Sequence, residues 1–232
     1  MQQRIITRPD FDGVVCAVLL KAALGHDIPV VWAQPNQIQR GEVPVGDQDV
    51  VANLPWPGRV ALWFDHHVSN AIEQPFQGLF RIAPSAAGLV YEYYKAELDQ
   101  DFQSMVQQAD KIDAAQLTLD EIKHPDRYPY ILLSMTIATQ RPSDAAYCDR
   151  LVGLLLSVPI EQVMADSTVR RRSDEAVADN QAYEIALKAH THMRAQISIS
   201  DFRGLCPAPN GNRFLVYLLF PEAHVNLKLF EE

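Results

Sequence analysis

Along the first 65 residues the apolar positions fall in short unbroken runs: Arg4-Ile5-Ile6-Thr7, Val30-Val31-Trp32-Ala33, Asp49-Val50-Val51-Ala52 and Val60-Ala61-Leu62-Trp63-Phe64. Runs of this kind, separated by crossovers, predict parallel strands whose sheet is covered by helices on both faces. Residues 8–13 predict a turn, and residues 14–24 a buried helix that Gly25 stops. After Pro84 the period lengthens. Residues 85–95 put Ala87, Val90, Tyr91 and Tyr94 on one helical face, and residues 102–114 predict a second helix. Thr118-Leu119-Asp120-Glu121 has the form of a capping box. Helical pattern continues to about His192, with breaks near Pro142 and Pro159. Alternation returns in residues 196–200, 214–220 and 225–229, which predict strands of a second, small sheet with a turn at Asn210-Gly211. The pattern is therefore α/β over 1–125, a helical connector over 126–192 and a β-rich C-terminal piece over 193–232.

Composition narrows the function classes. With 48% hydrophobic and 21% charged residues, the 232-residue chain can build a real core. No apolar run approaches the roughly 20 residues that span a bilayer, so no membrane association is expected. Cys16, Cys148 and Cys206 are scattered and odd in number, which fits buried thiols in a reducing cytoplasm better than a disulfide frame or zinc site. The net charge of −9 argues against long nucleic acid, whose phosphates call for a basic stripe. Arg170-Arg171-Arg172 has acids close by and reads as a solvated helix face. A small phosphorylated substrate met through a metal suits such a chain.

Three polar clusters follow expected strands: Asp10-Phe11-Asp12-Gly13, then Asn53, then Asp65-His66-His67. In a parallel sheet these strand ends share one edge, where ligands bind. Carboxylate oxygens with one or two imidazoles suit Mn²⁺, Mg²⁺ or Fe²⁺. Asp10 and Asp12 straddle one residue, so a tight turn eased by Gly13 would let both reach a metal. Asp110 and Asp113, at i and i+3, share a helix face.

Asp65-His66-His67 with the upstream Asp10-Phe11-Asp12-Gly13 resembles the DHH phosphoesterases, which include RecJ-like exonucleases, nanoRNases, exopolyphosphatases and manganese pyrophosphatases. Thr7 to Leu20 looks like the first motif and its helix, Asn53-Leu54-Pro55 stands in the second motif's place, and Ser85 to Val90 resembles the helix before the fourth. Asp110-Lys111-Ile112-Asp113 looks like the fourth motif itself. The likeness spans residues 4 to 113, about half the chain. It implies one or two Mn²⁺ or Mg²⁺ ions held by Asp10, Asp12, Asn53, His66 and one of Asp110 and Asp113, with Asp113 preferred. It also implies a catalytic pair, Asp65 orienting the histidines and His67 touching substrate phosphate.

Two positions depart from the family pattern. Arg8 stands where the family usually has a histidine, and Asn53 where it has a metal-bridging aspartate, with Asp49 four residues earlier. Arginine cannot ligate a metal, but Arg8 could grip phosphate. No Gly-Gly run supplies the glycine-rich loop of the family's second domain, so the C-terminal piece reads as a shortened remnant. The reading is a metal-dependent phosphoesterase for a short oligonucleotide, nucleotide or polyphosphate. Its alternative is a weakened relative that binds phosphate or nucleotide without turnover.

Overall fold

The computed structural model describes residues 3–137 and 144–231, and the break expected near Pro142 lies outside them. The first elements are β1 (Ile5–Thr7), α1 (Phe11–Leu24), β2 (Val30–Trp32), α2 (Pro35–Gln39), β3 (Val50–Ala52), β4 (Leu62–Asp65) and β5 (Gly78–Phe80). Next come α3 (Ala86–Tyr94), α4 (Gln103–Asp113), α5 (Leu119–Lys123), α6 (Pro129–Met135), α7 (Asp144–Ser157), α8 (Ile160–Ala165) and α9 (Ser167–His190). The last are β6 (Thr191–Arg194), β7 (Ile197–Asp201), α10 (Leu215–Leu219) and β8 (Val225–Leu229).

The chain divides into two compact units, Met1–Gln116 with Ile137–Val163, and Leu117–Thr136 with Met164–Glu232. The sequence-based cuts at 125 and 192 both fall inside the second unit. In the first, five strands run parallel in the order β2-β1-β3-β4-β5. The order reverses at β1, so a crevice opens beyond the C-terminal ends of β1 and β3. Ile6, Val51 and Trp63 share one sheet face with Ala33, Ile38 of α2 and Leu54, and Trp56 and Phe76 pack against them. Phe64 faces the other way, against Tyr93 and Tyr94 of α3. Helix α1 packs against α3, α4, α7 and β1, which is why residues 11–20 are buried all round and carry no amphipathic stripe.

Some local expectations change. Helix α1 starts at Phe11, so the expected turn 8–13 is a tight link of three residues with Asp10 as its N-cap. Gly13 sits inside that first turn: a Cβ there would lie 1.9 Å from the Arg8 carbonyl oxygen. Its role is close approach. The three-residue β5 carried no readable pattern.

Asp49 stands before β3, at the opposite end from Asn53, and accepts from Arg4 Nε at 3.0 Å and from Gly46 N at 2.8 Å. Burial by itself would raise the Asp49 carboxyl, but the hydrogen bonds from Arg4 and Gly46 and the Arg4 charge together hold it below its ordinary value. A depressed folded pKa means stability that is full above the unfolded value, about 3.9 for aspartate, and lost as pH falls through the folded value. Asp49→Asn should therefore cost about 1–3 kcal/mol at pH 7, and the gap to the parent should close in urea melts toward pH 3. A gap that stayed constant with pH would show that the ion pair contributes nothing.

In the second unit β6 pairs antiparallel with β7, and β8 parallel with β7. Residues 214–220, expected as a strand, instead contain α10; a uniformly apolar run has no period to tell the two apart. Helix α9 ends at His190, two residues earlier than expected, and the chain turns into β6. In β7 the alternation points the unexpected way, with Ser198 and Ser200 fully buried and Ile197 exposed. The buried hydroxyls are satisfied by Thr191 Oγ1 at 2.8 Å from Ser200 Oγ and by Asn226 Nδ2 at 3.0 Å from Ser198 Oγ. Asn212 N donates to Asn180 Oδ1 at 2.8 Å, and Gly211 packs directly on Tyr183, so the segment expected as a turn at 210–211 is extended chain anchored to its unit at Gly211 and Asn212. Cys16 and Cys148 are buried and outside any disulfide, whereas Cys206 is exposed. Among the described residues no helix is long and apolar enough to cross a membrane.

Candidate metal and phosphate site

All the candidate residues belong to the first unit, and they gather where β1, β3 and β4 end. Asp10 caps α1: its Oδ1 accepts from Gly13 N at 2.9 Å and from Asn53 Nδ2 at 3.0 Å. Its Oδ2 lies 3.1 Å from Arg8 Nε. Asn53 adopts φ 55, a left-handed conformation that asparagine tolerates better than most residues, and this turns its amide back toward Asp10. Its Oδ1 is buried without a hydrogen-bond partner among the described residues. Burial raises the Asp10 carboxyl, against the lowering effect of the Arg8 charge.

Asp12, in the first turn of α1, is buried and reaches the N-terminus of α3. Its Oδ1 accepts from Ala87 N at 2.8 Å and its Oδ2 from Ala86 N at 3.0 Å, while Ser85 Oγ accepts from Gly88 N at 2.9 Å. Three N–H groups that the helix cannot satisfy internally are thereby used, and the carboxylate sits at the positive end of the helix dipole. Burial pushes Asp12 well above its ordinary pKa, and the charges of Asp113 and Asp10 push the same way.

Asp65 ends β4 with no exposure. Its Oδ1 accepts from His66 N at 2.9 Å and from His67 Nδ1 at 2.8 Å, and its Oδ2 from Asn70 Nδ2 at 2.6 Å. Both oxygens are committed to orienting neighbours. The Asp65 hydrogen bond raises the His67 imidazole above its ordinary value, and His67 remains partly open to solvent. His66 is turned the other way. Its Nδ1 lies 2.9 Å from the Ala83 carbonyl oxygen, an acceptor only, so Nδ1 carries a proton and, in the neutral ring, Nε2 the lone pair. That Nε2 is buried without a hydrogen-bond partner among the described residues, 3.8 Å from Asp12 Oδ2 and 3.3 Å from Asp113 Oδ2.

The i, i+3 pair on α4 separates by task. Asp113 faces His66, whereas Asp110 Oδ1 accepts from Ser85 Oγ at 2.6 Å. Burial raises the Asp110 carboxyl. A Cβ on Gly88 would stand 2.7 Å from Asp110 Oδ1, so the small residue lets α4 approach α3. Ligand atoms of Asp12, His66 and Asp113 lie within 4.8 Å of one another, as do those of Asp65, His66 and His67. The unpartnered His66 Nε2 faces the two carboxylates of the first trio, and two carboxylates with one imidazole suit Mn²⁺ or Mg²⁺. Ser85, the Ala83 carbonyl and Asn70 were not singled out from sequence; Ser85 directly before Ala-Ala-Gly, with Asp110 to receive it, was the available signal.

No family model and no curated protein matches the chain. Among solved structures, the pGpG-specific phosphodiesterase PggH from Vibrio cholerae is similar at a TM-score of 0.82 and 26% identity, over 99% of this chain and 78% of that one. RecJ from Thermus thermophilus, in complex with Mn²⁺, is similar in fold at a TM-score of 0.58 and 15% identity, over 98% of this chain but 43% of its own. Motif order, strand-end geometry and a fold shared over nearly the whole chain make this chain similar to the DHH phosphoesterases.

Proposed function

We propose that this chain hydrolyses the phosphodiester bond of a short oligonucleotide, of dinucleotide size, with a divalent cation held by Asp12, His66 and Asp113. The observation that carries the reading is the buried, unpartnered Nε2 of His66 between two carboxylates. A bound divalent ion would stabilise phosphate charge as a Lewis acid and lower the pKa of an attacking water. The chain's own residues do the rest. Ala83 fixes the His66 tautomer, the outer-sphere support that keeps a liganding imidazole aimed. Asp65 holds His67 through Nδ1, leaving Nε2 as a donor to a phosphate oxygen, and the Arg8 guanidinium offers a second.

Substrate size follows from charge and likeness. A chain of net charge −9 gains little by tracking many phosphates, and PggH is named for a dinucleotide. With Mn²⁺ at physiological salt, pGpG should be turned over to mononucleotides while a 5′-labelled 20-mer DNA strand stays intact on a sequencing gel. Processive shortening of the 20-mer would reverse the size assignment. A second reading, phosphate or dinucleotide binding without turnover, is favoured by the Arg8–Asp10 pair and by Asn53, which leave Asp10 with donors on both oxygens. Retention of pGpG on the protein with no product after long incubation would establish it.

A further inference from the structure

We infer that Arg8 is the built-in second cation of this centre, so that the chain takes one divalent ion at Asp12, His66 and Asp113 and no second ion at Asp10. This rests on the phosphodiesterase reading above and adds how the site reaches charge balance.

Asp65 is engaged by His67 and Asn70, and Asp110 by Ser85, which leaves three carboxylates facing one another in the crevice: Asp10, Asp12 and Asp113. One divalent ion and one guanidinium offset these three charges. The two cations have separate places. The unpartnered Nε2 lies with Asp12 and Asp113, whereas Asp10 belongs to no cluster of ligand atoms among the described residues. Both oxygens of Asp10 have a donor group close by: Gly13 N and Asn53 Nδ2 hydrogen-bond to Oδ1, and the Arg8 guanidinium stands at Oδ2 in ion-pair contact. An incoming Mn²⁺ would therefore meet the like charge of Arg8 on one side of Asp10 and amide N–H groups on the other. Arg8 Nε makes no aligned hydrogen bond although it is buried and within ion-pair distance, and the side chain is one-third exposed. The guanidinium is therefore held by charge at one end and keeps donors for a substrate phosphate at the other, as a fork that can bind two oxygens.

The same balance accounts for the amide at Asn53. An aspartate there would add a fourth charge that one divalent ion and one arginine could not offset. Asparagine keeps the shape and the left-handed backbone, and holds Asp10 in place with an N–H.

The test reads metal stoichiometry with Mn²⁺ alone, by titration calorimetry and by anomalous scattering from Mn²⁺-soaked crystals. The parent chain should bind one Mn²⁺ per chain, and His66→Asn none. Arg8→His with Asn53→Asp should bind two, since an imidazole and a carboxylate, both able to ligate, would replace a guanidinium and an amide. Two equally occupied Mn²⁺ positions in the parent would overturn the inference while leaving the phosphodiesterase reading intact; so would a folded double variant that still binds one. A parent that binds no Mn²⁺ would overturn the phosphodiesterase reading itself and this inference with it. The parent measurement decides even if the double variant does not fold.

Discussion

Replacing His66 with asparagine should lower Mn²⁺-dependent kcat/KM on pGpG by roughly 10³-fold or more, about 4 kcal/mol of transition-state stabilisation. The imidazole is the sole nitrogen of the Asp12, His66 and Asp113 trio, and its Nε2 makes no hydrogen bond that folding depends on among the described residues. An amide at this position is shorter and cannot present a lone pair from the same point. The fold should notice little, so circular dichroism and thermal melting should stay near those of the parent. Asp12→Asn is the less clean experiment, because the same carboxylate accepts the two N–H groups at the start of α3. Turnover within tenfold of the parent, on a variant shown to be pure, would remove His66 from the reaction.

The second large effect is structural. Gly13→Ala should destabilise the first unit by about 3 kcal/mol or more, because the new methyl would stand 1.9 Å from the Arg8 carbonyl oxygen and 2.9 Å from Thr7 Oγ1. Backbone cannot step aside as a flexible side chain can, so the link between β1 and α1 must open. A loss of that size lowers the melting temperature by roughly 6–12 °C in a chain of this length. Gly13 N also donates to Asp10, so whatever remains folded should have lost the alignment of its acids. Gly153 supplies the control. It lies on α7 with nothing within 4 Å of a built Cβ, and Gly153→Ala should be stabilising by about 0.5–1 kcal/mol. Similar melting temperatures for the two alanine variants would contradict the argument.

Much of this site was readable in the sequence because its residues sit at strand ends, where a parallel sheet converts distance along the chain into proximity. Asp12, Asn53 and Asp65-His66-His67 are brought together by β1, β3 and β4 in that way. What could not be read depends on packing between helices. Spacing put Asp110 and Asp113 on one face but could not assign them, since the choice rests on Ser85, which claims Asp110 across the approach that Gly88 permits. Asp49 offered itself as a substitute for Asn53 by type, and only its pairing with Arg4 at the far end of β3 removes it. The strands lost or mistaken were those whose signal was three residues long, as in β5, or uniformly apolar, as in 214–220. In β7 the period was readable and the buried face was not, because paired hydroxyls and an asparagine can fill a buried surface once all but one of their polar atoms find partners.

Asp12 answers to two constraints at once, one from the cation and one from the N-terminus of α3. A descendant chain that abandoned hydrolysis would still be held to aspartate there by the helix, for as long as it needed to fold. Persistence of that residue is consequently poor evidence of activity in a relative. Among the described residues Asp113 holds no helix end, and His66 has only its single bond to the Ala83 carbonyl, so the erosion of function would be recorded there first.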